Sequence, residues 1–145
     1  MKVHIIETVP SGAAFVAPIL VSRLDALREQ PDDAHALGAL GISVRVAIRA
    51  GEHVGDPPDG ARIELRAVTG SAAFPVFDGT LRVEPIDAFT SRLVLAGRYS
   101  VPLGTLGTIA DRTILGGAAK RSLRTLLVTM QTEIAASLLQ KISGP

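Results

Sequence analysis

Residues 77–84, Phe77-Asp78-Gly79-Thr80-Leu81-Arg82-Val83-Glu84, set one apolar or small side chain against one polar side chain at every step. Period two puts Phe77, Gly79, Leu81 and Val83 on one face of a strand and Asp78, Thr80, Arg82 and Glu84 on the other. Residues 92–99 repeat the pattern, with Leu93, Leu95, Gly97 and Tyr99 opposed to Arg92, Val94, Ala96 and Arg98. So do 42–49 (Ile42, Val44, Val46 and Ile48 inward) and 62–69 (Ile63, Leu65 and Ala67 inward). Between those two runs, 51–60 contains Asp56-Pro57-Pro58-Asp59-Gly60, an exposed hairpin loop. The four runs read as an antiparallel meander with one side in water and one side covered.

The C-terminal stretch supplies the cover. Residues 108–142 contain no proline, and Ala119, Leu123, Leu126, Leu127, Met130, Ile134 and Leu138 recur three and four apart as one apolar stripe. Gly116-Gly117 is expected to mark a kink or a break between a short helix and a long one. On the other side of the meander, residues 2–9 are rich in β-branched side chains and read as a fifth strand, ended by Pro10-Ser11-Gly12. Ser11 is expected to cap a short helix, and 19–29, with Leu20, Leu24 and Leu27, reads as a second helical stretch. Gln30-Pro31-Asp32-Asp33 stops it, and 34–41 reads as a connection. The expected fold is therefore α+β: an antiparallel sheet curved around a long C-terminal helix, with 1–145 forming a single domain.

Composition narrows the chemistry. The chain has 145 residues, 47% of them hydrophobic, enough for one well-buried core. Without cysteine, thiolate metal sites, disulfides and Cys nucleophiles are excluded, and His4, His35 and His53 have no ligand spacing. No metal and no cofactor is implied. A net charge of +1 gives no general argument for a polyanion partner. The seven arginines on the wet faces are interleaved with Glu64 and Glu84 and have no aromatic stacking partners, so they read as a solvated face rather than a nucleic-acid surface. Residues 8–22 are uncharged but contain Pro10 and Pro18 and are too short to span a bilayer. Glu7 disagrees with a signal peptide, and a cytoplasmic location is expected. Twelve arginines to three lysines point to a GC-rich bacterial genome. Walker A, a nucleophile elbow and internal repeats are absent.

With these runs in place, Phe77-Asp78-Gly79-Thr80-Leu81-Arg82-Val83, then Leu95-Ala96-Gly97-Arg98-Tyr99-Ser100-Val101-Pro102-Leu103-Gly104, then Leu106-Gly107-Thr108-Ile109-Ala110-Asp111-Arg112, resemble the C-terminal half of the START/Bet v 1-like (SRPBCC) superfamily. The resemblance covers residues 75–140. It implies a helix-grip fold, a sheet wrapped around the last helix and enclosing an elongated apolar cavity. Members bind lipids, sterols, polyketides, quinones or plant hormones, and a minority are cyclases, aromatases or dehydratases. The family has six or seven strands where five are read here, and its catalytic members carry polar groups inside, where this chain is almost all aliphatic.

Phe74, Phe77, Tyr99, Leu103, Leu106, Leu127 and Met130 are the expected lining of such a cavity, and all but Tyr99 would serve equally as plain core. Tyr99 has inward parity, and its hydroxyl could orient or protonate a ligand oxygen, or simply reach a backbone carbonyl. Glu7 shares parity with Val3, Ile5 and Val9; an inward, desolvated Glu7 would be a candidate general acid, whereas a strand end would leave it wet. Convergence of Glu7 and Tyr99 would favour an enzyme. Lys120, Arg121 and Arg124, with Arg112 nearby, form a basic stretch that reads first as a solvated helix face and second as a peripheral contact with anionic membranes. Three functions fit. The first is binding or carriage of a small hydrophobic ligand (a lipid, an isoprenoid or quinone, or a polyketide-like molecule). The second is a cyclase- or dehydratase-like enzyme using Tyr99 with help from Glu7. The third is a cavity-free interaction module or homodimer.

Overall fold

The computed structural model describes residues 2–29, 32–39, 42–67, 76–100 and 109–143. In chain order these form β1 (Lys2–Val9), α1 (Ala13–Glu29), β2 (Asp32–Ala39), β3 (Ile42–Val54), β4 (Gly60–Ala67), β5 (Val76–Asp87), β6 (Thr90–Ser100) and α2 (Ile109–Ser143). The strands make one antiparallel sheet of six in the order β1-β6-β5-β4-β3-β2. Strands β2 to β6 are a meander, and β1 returns to pair with the last strand, Val3 opposite Gly97 and Val9 opposite Ser91. The two strands nearest the N-terminus thus stand at opposite edges, and α1 carries the chain from one to the other. α2 packs against β1 and β6 at one edge and β2 at the other, while α1 packs against β3 to β6. The sheet curves around α2.

Inward parity is as the alternation predicts. Ile63, Leu65, Phe77, Leu81, Val83, Leu93 and Leu95 are buried, and Arg62, Arg66 and Arg98 are exposed. From α2, Leu123, Leu126, Leu127, Met130 and Ile134 enter the same core, and Leu138 packs against it. On the outer face Arg62, Arg66, Arg82 and Arg92 are each bridged to a carboxylate. Arg82 is held by two hydrogen bonds to Asp59, 2.9 and 3.0 Å, which push its guanidinium above its ordinary pKa. Asp59 also bonds backbone to backbone with Val54 and Val83. The β3–β4 turn, begun by Gly55 at φ +87°, is thereby fastened onto β5.

Four sequence expectations are corrected. Residues 34–41 are not a connection: β2 occupies Asp32–Ala39, making six strands rather than five. Ala, Gly and Asp are poor strand formers, and the backbone ladder to β3 (Ala36 opposite Arg45, Leu37 opposite Val44) overrides that propensity. The two N-terminal helices are one. Pro18 removes only the bond to the Ala14 carbonyl, and both residues are exposed, so water can satisfy that group. Gly12 rather than Ser11 stands at the helix start, its carbonyl accepting from Phe15 and Val16 N–H. Finally, α2 runs unbroken through Gly116 and Gly117 for 35 residues, about 52 Å at 1.5 Å per residue.

Candidate functional site

The floor of the grip has a dip built into it. Gly79 of β5 stands directly opposite Gly97 of β6, both at inward parity. A Cβ on Gly79 would lie 2.7 Å from the Gly97 Cα and 2.8 Å from Cζ of Phe77, and one on Gly97 would lie 2.5 Å from the Gly79 Cα. The Phe77 ring therefore lies along the sheet over Gly79 instead of standing away from it. Two facing glycines, each too close to the partner strand's backbone to take a Cβ, and one reclined ring lower this part of the floor. Phe77, Leu127 and Met130 are buried to 2%, 1% and 9% exposure, all within the one apolar cluster.

Polar groups fasten α2 at the rim. Glu7 lies at inward parity on β1 but near its end, half-buried, with its carboxylate 3.4 Å from Nη1 of Arg124. Next to it, the Thr8 carbonyl accepts from Nε2 of Gln131. On the other side of α2, Arg23 of α1 donates to the Glu133 carboxylate at 2.7 Å, to the Ser137 hydroxyl at 3.0 Å and to the Glu133 carbonyl at 3.3 Å. Arg23 Nε is buried without a partner among the described residues.

Tyr99 stands opposite Phe77 in register, on inward parity, and its side chain lies outside the described residues. Glu7 pairs with Leu93, six positions along β6 from Tyr99, roughly 20 Å at strand spacing. The two polar candidates occupy opposite ends of the floor and do not converge at the backbone. Phe74, Leu103 and Leu106 lie outside the described residues, as do the side chains of Arg112 and Lys120. Arg121 and Arg124 are exposed. The sequence reading had both glycines facing inward but not opposite each other, because parity is legible and register between strands is not. It assigned Arg124 to a basic outer face; nothing in the spacing tied it to Glu7, 117 positions away.

No family model matches the sequence, and no curated protein does. The fold does have solved likenesses. A conserved protein from Geobacillus kaustophilus is 20% identical over 94% of this chain and 97% of its own, with a TM-score of 0.62. Ara h 8.0201 is 9% identical over 94% of this chain and 98% of its own, at 0.55. The Zhui aromatase/cyclase from a Streptomyces species is 16% identical over 99% of this chain and 96% of its own, at 0.53. At such identities the likeness carries the fold alone. A sheet that sets its first strand beside its last, an α1 that bridges the two edges and a single helix gripped between them together make this a START/Bet v 1-like helix-grip fold.

Proposed function

We propose that the chain binds or carries a small hydrophobic molecule between the sheet and α2: a lipid, an isoprenoid or quinone, or a polyketide-like compound. The observation that supports this most is the Gly79–Gly97 pair with Phe77 reclined over it. The close approach of the two strands excludes a side chain at both positions, so only the flat Phe77 ring covers them and the floor there is lower than one built of full side chains. Around the dip the walls are aliphatic, so affinity comes from apolar surface removed from water, about 25 cal/mol per Å² before the costs of binding. In this proposal Phe74, Tyr99, Leu103 and Leu106 complete the lining begun by Phe77, Leu127 and Met130, and the Tyr99 hydroxyl orients the ligand. A cyclase- or dehydratase-like reaction shared between Tyr99 and Glu7 is disfavoured by the register separating them.

The test is native mass spectrometry of freshly purified protein, followed by organic extraction. A stoichiometric added mass is expected. A bare chain that no member of a lipid and quinone panel stabilises would overturn the reading. Met130→Trp sharpens the result, since Met130 is the least buried of the described α2 core residues. Over an open interior it fills space, abolishing uptake and costing less than about 1 kcal/mol; in a filled core the overpacking costs about 1–3 kcal/mol.

A further inference from the structure

The low floor at Gly79 and Gly97 ends abruptly on the side toward α1. At the next inward position along the strands, Leu81 of β5 stands opposite Leu95 of β6, and Leu95 opposite Ile5 of β1. These three large side chains lie side by side on adjacent strands, and Leu81, Leu95 and Ile5 are 1%, 1% and 2% exposed. Directly behind them α2 comes down on the sheet. Arg124 reaches Glu7 and Gln131 reaches the Thr8 carbonyl, just past Ile5 on β1. Leu127 lies between Arg124 and Gln131 on the same helix face and is buried. Further toward α1, Leu93 and Val83 of the sheet and Val16 and Leu20 of α1 fill the core. Ile5, Leu95 and Leu81 thus form a sill across three strands, with the dip in front of it and packed side chains behind.

We propose that this sill is the inner stop of the ligand site and sets the length of molecule the site takes. The inference rests on the hydrophobic-ligand reading and narrows it. From Gly97 to Ser100, where β6 ends, the floor in front of the sill runs roughly 10 Å at strand spacing. That is about eight methylenes of an extended chain with bonds near 1.5 Å. The class of ligand is therefore compact: a short acyl or prenyl chain, or a small fused-ring system. A long acyl lipid or a long polyprenyl tail leaves most of its length beyond the ends of β5 and β6, where the grip adds nothing. Leu95 and Leu81 set the depth, because they stand on the two strands that carry the facing glycines. Ile5 closes the β1 side of the same row.

Straight-chain fatty acids from hexanoate to hexadecanoate, titrated below their micelle concentrations in competition with 1-anilinonaphthalene-8-sulfonate, test this. In the parent chain affinity should rise about fourfold per methylene and then level off beyond about eight to ten carbons. Leu95→Ala lowers the sill and should move the levelling-off point about two or three carbons longer. Leu20→Ala, behind the sill, should leave that point where it is, which separates a moved stop from a loosened core. If Leu95→Ala does not fold, the milder Leu81→Val should move the point by about one carbon. Affinity that keeps rising to hexadecanoate in the parent chain overturns the stop and leaves the hydrophobic-ligand reading standing. A levelling-off point indifferent to both sill substitutions does the same. A chain that binds neither the dye nor any of the acids removes that reading itself, and the stop with it.

Discussion

Toward the α1 end of the grip, Val9, Val16, Leu20, Leu93 and Ile134 expose none of their surface; toward the other end, two facing glycines and a reclined Phe77 lower the floor. Residues from β1, β6, α1 and α2 meet at the first end and leave no room. At the second, β5 and β6 approach so closely that neither Gly79 nor Gly97 has room for a side chain. The difference teaches that one continuous apolar cluster can be built in two ways: at one end by interlocked side chains, at the other by two strands brought close with an aromatic ring laid over them.

The contrast can be broken from either side. Leu20→Ala removes a fully buried side chain at the filled end and should cost about 2–5 kcal/mol in urea unfolding, with ligand stoichiometry in native mass spectra unchanged. Because the chain has no tryptophan, unfolding is followed by far-ultraviolet circular dichroism. Gly79→Ala acts at the open end, where a Cβ forces the Phe77 ring up and the strands apart. About 1–3 kcal/mol is expected to be lost, and uptake should fall with it. If Gly79→Ala destabilises and uptake is untouched, the dip is structural only. The smallest effect belongs to the outer surface. Asp59→Asn breaks the two-pronged hold on Arg82 and should cost about 0.5–1 kcal/mol, because both side chains are partly in water. Ligand uptake should not respond.

Much of the inner face was legible because alternation needs only near neighbours in sequence: Leu81, Val83, Leu93 and Leu95 declare their side by parity. The stripe from Leu123 to Ile134 declared the gripped helix in the same way. What escaped depends on distant partners. β2 has a strand's backbone without a strand's composition, and only β3 makes it one. The N-terminal helix reads as two stretches because no local pattern shows that Pro18 costs it only a bond to an exposed residue, Ala14. Gly116-Gly117 looked like a break, although a long helix tolerates glycines at a cost of about 1 kcal/mol each. The Glu7–Arg124 contact and the apposed glycines are facts of register, which no local pattern carries.

The pairing of β1 with β6 has a consequence for how the chain is born. β1 is made well before its partner, Thr90–Ser100, which emerges from the ribosome only after some ninety further residues, roughly 5–20 seconds later at ordinary synthesis rates. Throughout that interval Val3, Ile5 and Val9 have neither a neighbouring strand nor the helix that will cover them. The meander from β2 to β6 can assemble as it is translated, each strand on the one before it. Of the strands, β1 is therefore the one that waits longest for its partner, with its apolar positions uncovered until β6 and α2 are made.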